Sequence, residues 1–120
     1  MDENLTSARV VFVLPDNTVV MTKGDSDTIK FFGGKRDGNE TMIHNAVREV
    51  LNESSLDLDP SRFIRVADQR DEKSNAAWFV VRITEDEFDE IVPGEDVRKI
   101  YRESIESVQN KLTHDPWKRH

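Results

Sequence analysis

The sequence has 120 residues, with 17 Lys or Arg against 24 Asp or Glu, three His and no Cys, for a formal net charge of −7. That length suits a single domain built on one modest core. The absence of cysteine excludes disulfides, thiolate zinc sites and cysteine nucleophiles, and the acidic balance argues against an extended, sequence-independent grip on nucleic acid, which needs a basic surface.

Met1 to Ser7 is polar and reads as a loose end, to about residue 7. No basic segment followed by an apolar run opens the sequence, and no stretch approaches membrane-spanning length, so a cytoplasmic protein with no membrane partner is expected. Ala8 to Leu14 is a β-branched apolar run of strand length. Pro15-Asp16-Asn17 supplies turn chemistry, and Thr18 to Thr22 reads as the return strand of a hairpin. After a polar turn over Lys23 to Asp27, Thr28 to Phe32 is a further short strand running into Gly33-Gly34.

A helix follows, with Thr41 as its N-cap, Asn39 as the competing cap, and an end near Ser54. Ile43, Ala46, Val47, Val50 and Leu51 recur at helical spacing on one side, and Asn45, Arg48, Glu49, Asn52 and Glu53 fall on the other. Glu49 and Glu53 are four apart, so their carboxylates lie one turn above each other. Two hard oxygen donors held together suit Mg²⁺ or Mn²⁺; the ordinary alternative is an acidic solvent face. Arg62 to Gln69 reads as a strand, Arg70 to Asn75 as a polar hairpin loop, and Ala76 to Thr84 as a central strand with both faces apolar. Glu85 to Glu90 is an acidic run read as a solvated loop or short helix. Val97, Ile100, Tyr101, Val108 and Leu112 predict a second amphipathic helix over Glu95 to Leu112, and residues 113–120 form a loose tail containing Trp117. Phe31, Phe32, Trp78 and Phe79 serve either core packing or base stacking, and packing is the commoner use. His44, His114 and His120 are not at zinc-ligand spacing, and Ser54-Ser55 has no histidine base near it in sequence.

From Gly34 onward the spacing is specific: Glu40 after five residues, Arg48-Glu49 after seven more, then Val50, Leu51, Asn52, Glu53, Ser54, Ser55 and Leu56. This resembles the Nudix box, G-x5-E-x7-R-E-U-x-E-E-x-G-U with U a bulky aliphatic residue, matching without gaps at seven of nine defined positions. Asn52 stands in place of the first glutamate of the pair and Ser55 in place of the glycine. The family's glycine suits a left-handed residue at the helix end, where Ser55 meets a steric cost or takes another path.

The resemblance implies an α/β (α+β) fold, an α/β/α sandwich around a mixed sheet, as one domain over residues 1–120. It implies a hydrolase that cleaves a phosphoanhydride bond in a nucleoside diphosphate linked to another moiety, with Mg²⁺ or Mn²⁺ as cofactor. A small nucleotide is the implied partner, a free one being favoured by the compact length. Carried over by position, Glu49 and Glu53 are metal ligands and Glu49 also assists deprotonation of the attacking water. Arg48 orients Glu49, Gly34 lets the backbone approach, Glu40 ties the loop to the helix, and Lys35 is a candidate phosphate contact. Asn52 would bring an amide oxygen without charge, removing roughly several kcal/mol of carboxylate–cation attraction before desolvation offsets it. A further acidic ligand outside the box has five candidates, Glu85, Asp86, Glu87, Glu90 and Glu95. The rival reading is a Nudix-fold module that binds a nucleotide or a protein without hydrolysis.

Overall fold

The structure is a computed structural model that describes residues 4–25, 28–72 and 74–112. The loose tail expected over 113–120 lies outside the described residues, as do the first three residues. Within the described part of the N-terminal stretch the chain is pinned: Leu5 is fully buried, and the Thr6 N–H donates to Asn75 O at 2.9 Å. One apolar side chain entering the core is enough to anchor a segment that looks solvated by composition.

Seven strands are found among the described residues: β1 (Ser7–Val13), β2 (Thr18–Lys23), β3 (Ile29–Lys30), β4 (Phe32–Lys35), β5 (Ile64–Arg70), β6 (Asn75–Arg82) and β7 (Lys99–Ser104). They form one mixed sheet, with β1 parallel to β6 and the other pairings antiparallel. β1 and β2 pair only beside their turn, at Phe12–Val20 and Val13–Val19. Below that they part. Thr22–Lys23 then pairs with β3, and Ser7–Val10 pairs with β4, so residues 29–35 fill the gap and are broken at Phe31. The Gly33-Gly34 pair, read as loop from sequence, therefore lies inside a strand.

Three α-helices, α1 (Met42–Ser54), α2 (Glu85–Asp89) and α3 (Ile105–Leu112), and a 3-10 turn at Pro60–Arg62 complete the described fold. α1 covers one face of the sheet, where Met42, Ala46 and Val50 pack with Ala8, Val10, Phe12, Ala77, Phe79 and Val81. On the other face Val108 of α3 packs with Val19 and Met21, joined by Val11, Phe31 and Tyr101. This is the helix–sheet–helix layering expected of an α+β fold. Burying a side chain such as Val50 completely contributes roughly 2 kcal/mol.

Thr41 is the N-cap of α1, its hydroxyl accepting the His44 N–H at 3.3 Å. At the other end Ser55 adopts the left-handed conformation, φ 65°, and its N–H donates to Leu51 O at 2.9 Å. The serine thus takes the strained path that glycine would take freely, and its hydroxyl donates to Val92 O at 2.9 Å. Two face assignments on α1 are corrected: Asn45 is fully buried and Leu51 is 43% exposed.

The predicted helix over Glu95 to Leu112 is also corrected. Lys99–Ser104 is β7, paired with β2 along all of Thr18–Lys23, and only Ile105–Leu112 is helical. Ile100 and Tyr101 then fall on opposite faces, against the two separate cores, as alternation in a strand requires. The apolar spacing fits both periods over so short a stretch, and the open edge of β2 decides between them.

Gly33 has φ +138°, and a Cβ built there would lie 2.1 Å from Ala8 O. The obstacle is paired backbone, which has no rotamer with which to move aside. Gly33→Ala should destabilise the fold by at least about 2 kcal/mol in urea unfolding. An unaltered midpoint would mean that β4 does not pair with β1 in this register.

Candidate functional site

The box residues meet where the C-terminal half of α1 crosses β4. A Cβ built on Gly34 would lie 1.9 Å from Glu49 Oε2, so the carboxylate rests directly over the strand backbone. Glu53 Oε1 accepts the Gly33 N–H at 2.8 Å. Two carboxylates one helical turn apart are thereby held against two successive residues of one strand.

Arg48 ties this crossing together. It donates to Glu49 Oε1 at 2.7 Å, to Glu40 Oε1 at 2.6 Å and to Lys35 O at 2.9 Å. Glu40 also accepts the Asp37 N–H at 2.8 Å, which closes the loop between β4 and α1. The Arg48 guanidinium holds the Glu40 carboxyl below the usual carboxylate range, and Glu40 in turn raises the basicity of Arg48. Lys35 enters this arrangement through its carbonyl.

Asn45, which sequence reading put on the polar face, is part of the same crossing. Its amide donates to Gly34 O at 3.2 Å and to Lys35 O at 3.3 Å, while its buried Oδ1 has no partner among the described residues. Leaving that acceptor unpaired costs about 1–3 kcal/mol, so the two carbonyl contacts are maintained against a penalty. A polar residue that turns inward to satisfy strand carbonyls carries no signature in hydrophobic periodicity.

The loop after α2 docks on the end of α1. Val92 N–H donates to Ser54 O at 2.9 Å and Gly94 N–H to Glu53 O at 3.1 Å, satisfying carbonyls that the helix end leaves free. This brings Glu95 and Asp96 into the lining of a cleft of about 330 Å³ shared with Glu49, Asn52, Glu53 and Gly94. Of the five acids considered outside the box, Glu95 lines this cleft. Glu85 is paired with Arg102 at 2.6 Å, and Glu87 with Arg62 at 2.7 Å while it closes the capping box of α2. Asp86 and Glu90 are absent from the lining. Asp96 was missed by sequence reading, and its adjacency to Glu95 was the available signal.

Every polar side chain lining the cleft offers oxygen, which suits a hard cation. Among the described residues no three His, Asp or Glu side chains close on one point tightly enough to cage an ion. The donor set therefore fits an ion such as Mg²⁺, which takes one or two carboxylates and fills its octahedron with water and phosphate oxygens.

The four aromatic residues separate into two uses. Phe32 and Phe79 are buried in the core beneath α1. Phe31 and Trp78 are half-buried on the other face, in edge-to-face contact at 5.8 Å, with the Trp78 N–H donating to Gln69 Oε1.

Burial pushes the Glu53 carboxyl up to about 7, helped by the charge of Glu49 and opposed by the Gly33 N–H and by Lys30 and Arg9. A folded-state value above the ordinary 4.5 means that the fold holds this proton more tightly than the unfolded chain does. The resulting stability is fully present below about pH 4.5 and is lost as pH rises towards 7. The effect amounts to at most about 3 kcal/mol, reduced by the group's partial exposure. In the absence of metal, Glu53→Gln should remove this loss: the difference in thermal midpoint between variant and unaltered protein should grow in the variant's favour from pH 5 to pH 7.5. A constant difference across that range would show that Glu53 is not desolvated.

No family model matches the sequence, and no curated protein matches it. Solved structures do. A MutT structure from a study of the Aliivibrio salmonicida and Vibrio cholerae proteins superposes with TM-score 0.72 at 15% identity, over 96% of this chain and 94% of that one. An Ap4A hydrolase from C. elegans gives TM-score 0.72 at 11% identity, over 92% and 88%. A MutT/nudix family protein from Enterococcus faecalis gives 0.70 at 13% identity over 83% of this chain, which spans 44% of that protein's length. The mixed sheet, the crossing of α1 over β4 and the order of elements are those of the Nudix/MutT fold.

Proposed function

We propose that this protein is a metal-dependent hydrolase that cleaves a phosphoanhydride bond in a nucleoside diphosphate linked to another moiety, with Mg²⁺ or Mn²⁺ as cofactor and a free nucleotide as substrate. One observation carries the reading. Glu49 and Glu53, one turn apart on α1, are held against Gly33-Gly34 at a cleft also lined by Glu95 and Asp96. The Nudix/MutT fold supports it, because a MutT and an Ap4A hydrolase share the architecture over 94% and 88% of their own chains.

Glu49, Glu53 and Asn52 would hold the metal, with Glu95 and Asp96 within the same cleft. A divalent ion bound there neutralises charge developing on the phosphoryl oxygens and lowers the pKa of its water. The chain's own groups divide the remaining work. Arg48 occupies Glu49 Oε1 and so turns Oε2, lying over Gly34, towards the role of proton acceptor. Gly33 N–H holds Glu53 Oε1 and leaves Oε2 for the ligand side. Glu40 keeps Arg48 in place without entering the cleft, and Lys35 remains a candidate phosphate contact.

A second reading, a binding module of the same fold, is favoured by Asn52. This residue lines the cleft at the box position where the resemblance calls for a carboxylate, so the site carries one fewer anion for its cation. A panel of nucleoside di- and triphosphates, dinucleoside polyphosphates and ADP-ribose, assayed with Mg²⁺ and with Mn²⁺, separates the two. At least one member should release phosphate or pyrophosphate, and complete chelation of divalent ions should stop the reaction. Hydrolysis that persists under chelation would sink the metal-dependent mechanism. Asn52→Glu should lower the Mg²⁺ concentration giving half-maximal rate, or create turnover if the unaltered protein has none. No change in either quantity would remove Asn52 from the metal site.

A further inference from the structure

The cleft is strongly anionic, and a diphosphate is too. Glu49, Glu53, Glu95 and Asp96 all line it, and the Arg48 guanidinium beside Glu49 is already engaged by Glu40 and Lys35 O. One divalent ion leaves four carboxylates incompletely balanced before any phosphate arrives. Some positive group must therefore face the substrate from outside the box helix.

Two cations outside the cleft lining lie on the strands next to Gly33. Arg9 lies in the middle of β1, with Gly33 as its Cα partner on β4 and Trp78 as its partner on β6. Gly33 is the residue whose N–H holds Glu53, and a Cβ built on it would lie 2.9 Å from Arg9 Cα. Lys30 ends β3, three residues before Gly33, where the sheet parts between β2 and β1. Both side chains bear electrostatically on the Glu53 carboxylate. Among the described residues neither side chain makes an ion pair, hydrogen bond or ring contact, on a chain of net charge −7 where Arg48, Arg62, Arg65, Arg98 and Arg102 are all paired with carboxylates. Arg9 is half-buried as a residue.

We propose that Arg9, with Lys30, is a direct contact for phosphoryl oxygens of the substrate where these extend past the Glu53–Gly33 edge of the cleft. The inference deepens the nucleotide reading above and rests on it. The planar fork of Arg9 suits two oxygens of one phosphoryl group, whereas Lys30 supplies a mobile point charge. The pair serves substrate binding and positioning and takes no proton in the reaction.

A charge that attracts phosphate also repels the metal, and the two effects have opposite signs on removal. Binding of Mg²⁺ alone, and of ADP and inorganic pyrophosphate in saturating Mg²⁺, is measured calorimetrically for the unaltered protein, Arg9→Gln and Arg9→Lys. Arg9→Gln should weaken ADP and pyrophosphate about tenfold or more, while Mg²⁺ alone binds equally well or more tightly. Arg9→Lys should recover most of the phosphate affinity, and Lys30→Gln should show a smaller loss of the same kind. Phosphate affinity unchanged in Arg9→Gln would overturn the proposal. So would parallel loss of metal and phosphate binding with a lowered thermal midpoint, which marks a role in folding only. If the unaltered protein neither binds these probes nor cleaves any member of the panel, the nucleotide reading falls together with this inference. If it binds or cleaves them and Arg9→Gln matches it, this inference alone falls.

Discussion

The close approach of α1 to β4 is the constraint on which the rest of the site depends. Two carboxylates of a helix can sit on a strand only where that strand has no side chains to hold the helix away. Gly34 provides that gap and Glu49 occupies it, while the N–H of the neighbouring Gly33 holds Glu53. The approach is then secured at three depths: by Arg48 with Glu40 at the rim, by Asn45 with the Gly34 and Lys35 carbonyls in the interior, and by Val50 and Ala46 in the core. Each depth uses a different interaction, so solvent screening that weakens the ion pairs leaves the buried hydrogen bonds and packing in place.

Much of this was legible in the sequence because it is local. The N-cap at Thr41, the reach from Glu49 to Glu53 and the spacing from Gly34 to Glu40 to Arg48 are set within one loop and one helix. The Nudix/MutT fold that they suggested is the one the chain adopts. What escaped depends on partners far along the chain. β7 exists because β2 offers an edge some 80 residues earlier in sequence, and Ile100 and Tyr101 satisfy helical and alternating patterns equally well over so few residues. Asn45 turns inward to reach carbonyls of another element, and Leu51 is left exposed at the end where α1 runs out of sheet. The choice of Glu95 over Glu85 or Glu87 depends on which acids Arg102 and Arg62 engage, and spacing does not encode that.

The segment from Val92 to Asp96 joins stability to the site. Its N–H groups at Val92 and Gly94 cap the free carbonyls of α1, and the same backbone places Glu95 and Asp96 in one cleft with Glu49 and Glu53. Helix end and cleft wall are therefore one piece of structure. The left-handed Ser55 belongs to it, since its hydroxyl bonds Val92 O and returns part of the strain of a non-glycine residue at that angle. The departure from the box at this position is absorbed by a hydrogen bond that glycine could not make.

Asn52 can be understood within the same electrostatics. Glu53 is already desolvated and already feels Glu49 one turn away, so the folded chain carries a carboxyl that resists ionisation near neutral pH. A glutamate at 52 would add a third negative charge to that end of the helix, in a cleft that Glu95 and Asp96 also line. Without a cation, each added charge raises the repulsion that the packing of α1 must overcome. An amide keeps an oxygen facing the cleft and omits the charge. If the cleft holds a divalent ion as proposed, the amide would trade intrinsic attraction for that ion against stability of the metal-free fold. The burden of neutralising a phosphorylated ligand would then shift towards cations elsewhere on the sheet, and Arg9 and Lys30 lie on the strands that open beside Gly33.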